Sequence, residues 1–465
     1  MELGKFDDLA AIILAAGQGT RMRSELPKVL HKVAGQYLVQ HVIKQCTQVG
    51  LDKIILVIGH KGEQVQEALG HDFLYAWQRE QLGTGHAVLQ AEEFFTPDIK
   101  DVLVVCGDTP LLTKATLGNL IKQHRETDAA CTILTTTLTD PTGYGRIIRN
   151  AQGEVIKIVE QKDGNPSELE VKEINSGTYC FKASILIEML HKIKPDNKQG
   201  EYYLTDCIGL CRESNLPVMA YLTTDAEEVM GINSRIELAK AEKAFQKRIN
   251  NYWLENGVTI IDPLNTYIEA EVQIGTDTVI YPYTFLQGKT SIGKGCQIGP
   301  ACTIKDSKLA DKNIVLNSII IESEIGSLCT IGPFSYLRPG CKLGNQVKVG
   351  DFVELKKTTV KDDSKIPHLS YVGDANIGSK VNIGAGTITC NYDGEKKWIT
   401  TIEDGVFIGS NSNLVAPVVI QEGAYVAAGS TITTDVPAHA LGVARGRQVN
   451  IPNWVKKRKA AKENR

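Results

Sequence analysis

Aliphatic residues recur at every sixth position through much of the second half of this 465-residue chain. A period of six fits neither the 3.6-residue repeat of an α-helix nor the two-residue alternation of one long strand. The members of the series are Ile268, Ile274, Ile280, Leu286, Ile292, Ile298, Ile304, Ile325, Ile331, Leu337, Leu343, Val349, Leu355, Ile377, Ile383, Ile402, Ile408, Leu414, Ile420, Val426 and Ile432. The chain must turn after each short extended piece, which predicts a coil of stacked turns.

Small or β-branched residues stand four places after most of these aliphatic residues, and glycine often follows them directly. Small side chains suit a narrow interior, and glycine suits sharp corners. The pattern resembles the hexapeptide repeat, which forms a parallel β-helix, and this resemblance implies a left-handed coil. Three hexapeptides per coil would stack the aliphatic rows about 4.8 Å apart.

Two breaks in the series are interpreted as insertions. The intervals from Leu355 to Ile377 and from Ile383 to Ile402 are 22 and 19 residues, which are not multiples of six. Insertions leave a solenoid as loops on one face, which is often the binding face. The residues expected on these loops are Lys356, Lys357, His368 and Tyr371 in the first, and Asn391, Tyr392, Asp393 and Gly394 in the second.

The first half alternates apolar runs with amphipathic segments, which predicts an α/β domain with a mostly parallel sheet. Strands are expected at 11–16, 53–58, 102–106 and 131–137, and helices at 39–49, 62–69 and 115–125. A helical pattern with Ser234 and Glu237 in capping-box spacing and an apolar stripe that includes Ile236 follows. The predicted domains are therefore residues 1–232, a linker helix at 233–254, and a β-helix domain at 255–465.

The first predicted strand ends in a glycine loop, Gly17-Gln-Gly-Thr-Arg21. Glycine lets backbone amides approach phosphate oxygens, and Arg21 and Lys28 can add positive charge at a triphosphate. The loop matches neither the dinucleotide-binding fingerprint nor the Walker A motif. Asp108 directly follows a later strand, and Mg²⁺ needs only one or two protein oxygens beside phosphate and water. These residues predict a metal-assisted phosphate site at the carboxyl ends of the strands.

Composition excludes several classes of protein. The net charge of -3 gives no electrostatic reason to expect nucleic acid as a partner. No apolar run is long enough for a membrane span, and Asp7 and Asp8 precede the first apolar run where a signal peptide would be basic. The eleven cysteines show no paired spacing, so we expect free thiols and a cytoplasmic protein.

Longer motifs narrow the interpretation. They are Leu14-Ala-Ala-Gly-x-Gly-Thr-Arg-Met22, Gln81-Leu-Gly-Thr-Gly-His86, Pro141-Thr-Gly-Tyr-Gly-Arg146, Gly200-Glu-Tyr-Tyr203, Leu337-Arg-Pro-Gly340, Val353-Glu-Leu-Lys-Lys357, His368-Leu-Ser-Tyr371 and Asn382-Ile-Gly-Ala-Gly-Thr-Ile-Thr-Cys-Asn-Tyr-Asp-Gly394. Over about residues 10–445 the chain resembles the bacterial bifunctional enzymes that acetylate glucosamine-1-phosphate and then uridylylate the product, a family of the sugar-nucleotide pyrophosphorylases.

The resemblance implies a Rossmann-like nucleotidyltransferase domain, a linker helix and a left-handed parallel β-helix with acetyltransferase activity. It implies synthesis of UDP-N-acetylglucosamine from glucosamine-1-phosphate, acetyl-CoA and UTP with release of pyrophosphate, for peptidoglycan and, where present, lipopolysaccharide. It also implies Mg²⁺ and a homotrimer whose acetyltransferase sites lie between neighbouring coils.

The resemblance also assigns residues in the first half. Arg21 and Lys28 would offset the charge that develops as the sugar phosphate attacks the α-phosphate of UTP. Asn233 joins Asp108 as a metal ligand. The other expected substrate-binding residues are Leu14, Ala15, Ala16 and Gly17 in the glycine loop, Gln78, Gly83 and Thr84 at the uracil, and Gly145, Glu160 and Asn175 at the sugar.

In the second half, His368 is the expected general base, because histidine titrates near neutral pH. Arg338, Lys356, Tyr371 and Asn382 would bind the amino sugar phosphate. The residues that the family assigns to acetyl-CoA are Ala385, Asn391, Tyr392, Ser410, Ala428 and Arg445. Cys106 and Pro367 depart from the family's usual pattern, and Pro367 fixes the backbone that enters His368.

Two other interpretations remain open from the sequence. The first is a monofunctional sugar-1-phosphate nucleotidylyltransferase with a structural β-helix. The second is a structural or adhesive solenoid with a nucleotide-sensing head. The loops expected around His368 and Asn391 count against the first, since a purely structural coil needs no insertions, and the absent signal peptide counts against the second.

Overall fold

A computed structural model describes residues 5–463 of the chain. These residues fall into two compact units that divide between Phe245 and Gln246, inside the helix Arg235–Glu255. Between residues 5 and 463, no helix is both long enough and apolar enough to cross a membrane. The first unit is α/β and the second is a parallel β-helix, so the predicted fold class is confirmed.

The first unit is built on a nine-stranded sheet in which strands β1, β4, β5 and β6 run parallel. The strands of this unit are β1 Leu9–Ala15, β2 Lys32–Val33, β3 Gln36–Tyr37, β4 Lys53–Ile58, β5 Leu74–Trp77, β6 Asp101–Cys106, β7 Cys131–Thr137, β8 Arg146–Arg149, β9 Val155–Val159, β10 Glu173–Lys182 and β11 Val218–Leu222. The sheet order is β11-β7-β10-β6-β1-β4-β5, β8 and β9 join at β10, and β2 pairs with β3 separately. Strand β10 runs antiparallel to β6 and β7, so the sheet is mixed but mostly parallel, as predicted.

Helices pack on the sheet of the first unit, and the long strands beneath them are continuous apolar runs because both faces are covered. The α-helices of the chain are α1 Leu38–Gln48, α2 Gly62–Leu69, α3 Thr84–Leu89, α4 Lys114–Glu126, α5 Pro166–Leu169, α6 Ala183–Leu190, α7 Asp206–Glu213, α8 Arg235–Glu255 and α9 Trp454–Glu463. The 3-10 helices are Thr20–Met22, Lys28–Leu30, Glu92–Phe94, Ala226–Val229 and Pro263–Asn265. Each predicted strand and helix of the first domain is confirmed to within two residues.

The start of α8 fixes the position of Asn233. Ser234 Oγ accepts from the Glu237 N–H at 3.3 Å, which is half of the predicted capping box. Glu237 Oε2 accepts from the Asn233 N–H at 2.6 Å instead of from Ser234. Of the predicted apolar stripe, Ile236 is 71% exposed, and burial along the helix begins at Ala241.

The second unit is a parallel β-helix with three sheets, which we call faces 1, 2 and 3. Face 1 contains Thr259–Ile260, Val279–Ile280, Gln297–Ile298, Ile314–Val315, Thr330–Ile331, Lys348–Asp351, Lys365–His368, Asn382–Ile383, Phe407–Ile408, Tyr425–Val426 and Leu441–Gly442. Face 2 contains Thr266–Ile268, Thr284–Gln287, Thr303–Lys305, Ile319–Ile321, Tyr336–Leu337, Glu354–Lys356, Tyr371–Gly373, Ile388–Cys390, Asn413–Val415 and Thr431–Ile432. Face 3 contains Gln273–Ile274, Ser291–Ile292, Lys308–Leu309, Glu324–Ile325, Lys342–Leu343, Thr359–Val360, Ala375–Ile377, Thr400–Ile402 and Val418–Ile420. Every aliphatic residue of the predicted series is buried in one core, which confirms the coil.

The break between Leu355 and Ile377 is not an insertion, and that prediction was wrong. The buried positions that the six-residue count misses are Val360, Ile366 and Val372 in this break, and Leu309, Val315 and Ile320 in the break after Ile304. The steps between these positions are five or six residues long, so some corners are one residue shorter. His368 consequently lies in the strand Lys365–His368, which pairs in register with Lys348–Asp351, and not on a loop.

The break after Ile383 does contain an insertion, as predicted. Thr389 takes the next inner position and is 1% exposed, and the coil resumes at Thr400–Ile402. Within the insertion, Tyr392 and Lys397 pair as an isolated antiparallel bridge. The loop therefore carries polar and aromatic residues outward from face 2 without interrupting the stacked core.

The corners of the coil use glycine differently from the prediction. Residues with positive φ stand two or three places after most inner aliphatic residues and are often not glycine, as at Phe352 (φ 57°) and Leu369 (φ 49°). Glycine directly after the aliphatic residue is required by the closeness of the next coil. A Cβ on Gly350 would lie 1.9 Å from the carbonyl oxygen of Pro367. This close approach joins the two coils that carry Asp351 and His368.

A core substitution distinguishes a continuous coil from a surface loop around residue 366. Ile366→Ala is expected to lower the free energy of unfolding by about 2–5 kcal/mol, because it opens a cavity in a fully buried stack. Lys361→Ala, at an exposed position of the same segment, should change it by less than about 0.5 kcal/mol. Denaturant unfolding followed by circular dichroism compares the proteins. Wild-type stability of Ile366→Ala would assign the segment to a loop.

Candidate active sites

The first candidate site is a cleft of about 470 Å³ at the carboxyl ends of β1, β5 and β6. Nine predicted residues line it: Leu14, Ala15, Ala16, Gly17, Lys28, Gln78, Gly83, Thr84 and Asp108. Six further residues, which the sequence assignment did not include, are Gln18, Val29, Gln81, Ala87, Cys106 and Glu201. Gln81 and Glu201 belong to the motifs Gln81–His86 and Gly200–Tyr203, so the sequence contained the information needed to predict them as site residues. The edge of the sheet gathers these residues because parallel strands end together there.

Lys28 joins the two predicted metal ligands. Its Nζ forms an ion pair with Asp108 and donates a hydrogen bond to Asn233 Oδ1 at 3.0 Å. Each side chain of the Lys28–Asp108 pair is 15% exposed. The Ile232 N–H also donates to the Asp108 carbonyl at 2.9 Å, which holds the segment before α8 against the end of β6. The Asp108 and Asn233 oxygens therefore converge on one positive group.

These two oxygens have the chemistry that Mg²⁺ prefers when phosphates and water complete its shell. The convergence of Asp108 and Asn233 on the Lys28 ammonium shows that they can face a cation. In the part of the chain that the structure describes, no group of three or more His, Cys, Asp or Glu side chains is arranged around a metal position. The donor set fits a metal shared with a phosphate ligand and not a metal enclosed by protein.

The wall of the cleft at the predicted uracil end is held by backbone contacts. Gln78 is 3% exposed, and its Nε2 donates to the Gly83 carbonyl at 3.0 Å. Gly83 has φ 110°, and a Cβ there would lie 2.6 Å from the carbonyl oxygen of Tyr202. Thr84 Oγ1 accepts from the Leu204 N–H at 3.1 Å. Only glycine fits at position 83, and this part of the cleft has little freedom to change shape.

Gly145, Glu160 and Asn175 form a second group near the cleft. The Asn175 N–H donates to the Gly145 carbonyl at 2.9 Å, and a Cβ on Gly145 would lie 3.3 Å from Glu160 Oε1. Burial raises the pKa of Glu160, which accepts a hydrogen bond from Thr205 Oγ1 at 3.3 Å. Because β10 runs beside β6, Asn175 lies at the same sheet edge as Asp108. The structure thus brings the three predicted sugar residues together.

Arg21 is the predicted residue that the structure does not bring into the cleft lining. It is exposed in the 3-10 helix Thr20–Met22, and the described residues provide no ion-pair or hydrogen-bond partner for its side chain. Gly19 packs against Lys28 so closely that a Cβ at this position would lie 2.7 Å from the Lys28 Cβ. The glycine loop therefore fixes Lys28 and leaves Arg21 free to reach a ligand.

The second candidate site follows the corner between faces 1 and 2. Five coils that are neighbours on face 1 place one residue each at the same position, two residues after the inner aliphatic residue. These residues, which we call the corner column, are Asp351, His368, Ala385, Ser410 and Ala428. Arg445 continues the column, because its Nη1 donates to the Ala428 carbonyl at 2.8 Å. The predicted base and four predicted acetyl-CoA residues thus share one edge of the coil.

Within this column, His368 Nδ1 lies 2.5 Å from Asp351 Oδ1. Asp351 was not among the predicted residues. The pKa of Asp351 is lowered, first by this hydrogen bond, so the carboxyl group is an anion at neutral pH. The histidine and aspartate side chains are 55% and 37% exposed, which leaves the imidazole accessible to a substrate.

A polar cluster lies on and beside face 2, next to the corner column. Lys356 Nζ donates to Asp374 Oδ2 at 3.1 Å, and Asn391 Nδ2 donates to the same oxygen at 2.5 Å. A Cβ on Gly373 would lie 2.5 Å from the Tyr371 hydroxyl and 2.9 Å from Asn391 Nδ2, so these side chains meet around Gly373. Asp374 therefore joins two predicted residues, Lys356 and Asn391, and a third, Tyr371, lies beside them at Gly373.

A second lysine in this cluster was missed by the sequence analysis. The pKa of Lys356 is raised, first by its hydrogen bond with Lys397 and then by Asp374, and the pKa of Lys397 is lowered by Lys356. Lys397 lies on the insertion, and a basic residue on a predicted binding loop was the available signal. Two neighbouring lysine side chains and one carboxylate form a positive site that suits a phosphate group.

The remaining predicted residues lie around these groups. Arg338, on face 2 one coil before Lys356, donates from Nη1 to Glu354 Oε1 at 3.0 Å. Asn382 lies on face 1 opposite Lys365 of the preceding coil, and Tyr392 is 59% exposed on the insertion. All three residues lie on coils that carry or adjoin the corner column, but none of them forms a side-chain hydrogen bond with His368.

Comparison with known proteins gives matches to both units. Residues 10–259 match the nucleotidyl transferase family, and residues 399–434 match the bacterial transferase hexapeptide family of six repeats. The chain is 52% identical over 445 residues to the bifunctional protein GlmU of Heliobacterium modesticaldum, which covers 96% of this chain and 97% of the relative. It is 53% identical over 445 residues to that of Geobacillus sp. strain WCH70, with the same coverage of both chains. It is 51% identical over 448 residues to that of Clostridioides difficile, again covering 96% of this chain and 97% of the relative.

The half-buried carboxyl group of Asp206, near Glu160, predicts a pH dependence of stability. Burial raises the pKa of Asp206 from 3.8 to about 6, so the folded state binds its proton more tightly than the unfolded chain. The resulting stabilisation is present below the unfolded pKa and is lost as the pH rises through about 6. Asp206→Asn should therefore flatten the fall of the thermal midpoint between pH 4 and 6.

Thermal unfolding at a series of pH values measures this effect. Glu213→Gln, which removes an exposed carboxyl group from the same helix, is the matched control. A wild-type pH dependence in Asp206→Asn would show that the Asp206 carboxyl group does not contribute to it.

Proposed function

Because the chain belongs to the family of bifunctional GlmU proteins, we propose which of its residues carry each activity. The chain is a uridylyltransferase and an acetyltransferase, and it makes UDP-N-acetylglucosamine. We assign uridylyl transfer to residues 1–232 and acetyl transfer to residues 255–465, with the helix at 233–254 as linker. The single observation that supports this division best is that the predicted residues gather in two places, the cleft and the corner column.

For uridylyl transfer, an oxygen of the N-acetylglucosamine-1-phosphate phosphate group attacks the α-phosphorus of UTP, and pyrophosphate leaves. Backbone amides of Leu14–Gly17 and the side chains of Arg21 and Lys28 hold the phosphates and offset their growing charge. Asp108 and Asn233 would hold Mg²⁺, which when bound neutralises charge on the phosphates. Gln78, Gly83 and Thr84 contact the uracil, and Gly145, Glu160 and Asn175 hold the sugar. The backbone contacts of Gln78 and Gly83 support a pocket of fixed shape.

For acetyl transfer, the amine of glucosamine-1-phosphate attacks the thioester carbonyl carbon of acetyl-CoA. His368 Nε2 takes the proton from the nitrogen as the N–C bond forms. The C–S bond breaks, and the coenzyme leaves as a thiolate that takes a proton from the imidazolium. Arg338, Lys356 and Lys397 bind the sugar phosphate with Tyr371 and Asn382 beside it, and the acetyl-CoA residues are Ala385, Asn391, Tyr392, Ser410, Ala428 and Arg445. Their succession along one corner supports an extended cofactor.

The monofunctional alternative is overturned by the match of both halves to bifunctional relatives along nearly their whole length. The earlier reason against it, an inserted loop around His368, is withdrawn because that segment is part of the coil. We also place the enzyme in the cytoplasm, in the synthesis of peptidoglycan and, where present, lipopolysaccharide precursors. All eleven cysteines are free, which supports a reducing compartment.

We further propose a homotrimer that buries an exposed apolar ridge. The residues of this ridge stand on the corner between faces 1 and 2: Tyr283, Phe334, Phe352 and Leu369, which are 56–62% exposed. The rings of Phe334 and Phe352 stack at 5.4 Å. Phe334, Phe352 and Leu369 stand on three consecutive coils, and contiguous exposed apolar surface of this kind marks interaction sites. Phe352 and Leu369 directly follow Asp351 and His368. The acetyltransferase sites would therefore lie between the β-helices of neighbouring subunits.

Two substitutions should separate the two activities. Asp108→Asn is expected to lower uridylyl transfer on the order of 10²–10³-fold, because it removes a charge placed to act on the phosphates, and to leave acetyl transfer unchanged. His368→Asn should lower acetyl transfer by about 10²–10⁴-fold through loss of the base, and leave uridylyl transfer unchanged. Pyrophosphate release and free-thiol release measure the two reactions separately.

Each protein is its own control in these assays, since the second activity reports on correct folding. Removing divalent metal with a chelator should abolish pyrophosphate release and spare thiol release. Wild-type pyrophosphate release in Asp108→Asn would remove its assignment as a metal ligand. Wild-type thiol release in His368→Asn would require a different base.

The oligomer is tested by a charge placed on the ridge. Phe334→Glu should shift the mass measured by light scattering from trimer towards monomer, because a carboxylate would be buried at the interface. Leu328→Glu changes an exposed apolar residue of positive φ on another corner and should leave the mass unchanged. A trimer of wild-type stability in Phe334→Glu would place the interface elsewhere.

A further inference from the structure

We propose that Asp351 is a positioning residue for acetyl transfer, which holds His368 with Nε2 free to act as the base. The proposal rests on the proposed role of His368. Asp351 belongs to none of the motifs that identified the family. The hydrogen bond of 2.5 Å between Asp351 Oδ1 and His368 Nδ1 is the observation that carries it.

The backbone determines this pairing. Asp351 and His368 are direct partners in the register of two neighbouring strands of face 1. Each is followed by a residue of positive φ, Phe352 or Leu369, so both side chains leave the coil at the same point of the corner. The Leu369 N–H donates to the Asp351 carbonyl at 3.0 Å. Two side chains one coil apart at equivalent positions must face each other at the spacing of paired strands, about 4.8 Å.

Two neighbouring residues hold the coils close at this point. A Cβ on Gly350 would lie 1.9 Å from the Pro367 carbonyl oxygen, so only glycine permits this approach. Pro367 has a fixed φ and lies inside the strand that ends at His368. The departure from the family pattern at Pro367 therefore makes the backbone before His368 more rigid, and the imidazole has a fixed place opposite Asp351.

The surroundings leave the Asp351–His368 pair as the main charge interaction at this corner. The other charged groups on these two strands are Lys348 and Lys365, and Lys348 also lowers the pKa of Asp351. The corner column presents Ala385 in the coil after His368, and the preceding coil presents Pro333 at the equivalent position, so neither neighbour adds a charge. The carboxylate of Asp351 thus meets the imidazole without a competing partner in its own column.

This arrangement selects one form of the neutral imidazole. An anionic carboxylate can only accept at Nδ1, so the proton lies on Nδ1 and the lone pair lies on Nε2. When Nε2 takes the amine proton, the imidazolium that forms is stabilised by the adjacent negative charge. The carboxylate therefore orients the base and stabilises the imidazolium, and it does not itself take up the proton.

Asp351→Asn tests the charge separately from the geometry. The amide oxygen can still accept from Nδ1, but the negative charge that stabilises the imidazolium formed during the reaction is lost. Because the base must be neutral to act, the acid limb of kcat/KM for acetyl transfer should move down by about one pH unit. The plateau of kcat should fall about 10–100-fold, as for other groups that orient a functional imidazole, with little change in KM. Asp351→Ala also removes the acceptor and should be slower than Asp351→Asn at every pH.

The measurement is acetyl transfer by the full-length protein between pH 5.5 and 9, with free thiol as the readout and uridylyl transfer of the same preparation as a folding check. Asp363→Asn, an exposed carboxylate on a different corner between Asp351 and His368 in sequence, is the matched control. It should show the wild-type pH profile.

Three results would overturn the proposal. A wild-type pH profile and kcat in Asp351→Asn, with His368→Asn inactive, would leave His368 as the base without a positioning partner. A raised KM with an unchanged pH profile would make Asp351 a substrate-binding residue. Acetyl transfer at the normal rate in His368→Asn would remove the base itself, which is the separate failure of the proposed function.

Discussion

Inward stacking of one aliphatic side chain per step is the constraint on which the second unit depends. Each inner residue packs on the equivalent residue of the next coil, and the strands that carry them pair in register, as Leu337 does with Leu355. In-register stacking repeats every outward position at the same place in each coil. A residue two places after the inner position on face 1 therefore always leaves at the same corner. This regularity turns residues far apart in sequence, from Asp351 to Ala428, into one continuous edge.

The first unit also brings residues that are distant in sequence to one place, but it does so at the edge of a sheet. Parallel strands end at a common edge of the sheet, and the segments that follow β1, β5 and β6 supply most of the cleft. Asn233 comes from far along the chain, yet the hydrogen bond between Ile232 and Asp108 fixes it at that edge. The Lys28 ammonium then holds the Asp108 carboxylate and the Asn233 amide in one place. In both units a regular scaffold fixes the backbone, and an ionic contact holds the side chains of the proposed site together.

Much of the site could be predicted because its residues lie in compact motifs. Nine residues of the cleft and the proposed base His368 were predicted from such motifs, and the structure brings the nine cleft residues together. Asp351 and Lys397 were missed for a physical reason. Neither has a local sequence partner, and each acquires its role only through a neighbour on another coil or on the inserted loop. For Arg21 the opposite holds. Its motif is clear in the sequence, but its exposed side chain has no protein partner among the described residues that would fix its position.

The sequence by itself determined the coil. An aliphatic side chain at every sixth residue can face a common interior only if the chain turns after each six-residue step, three times per coil. It also determined the α/β character of the first half, since hydrophobic periodicity is a local property. It did not determine the corners. A step of five residues and a step of six residues both return an aliphatic side chain to the core, and only contacts between coils decide which occurs. For that reason the segment around His368 was predicted from the sequence to be a loop, whereas in the structure it is a strand. The pairing of His368 with Asp351 depends on the tertiary structure alone.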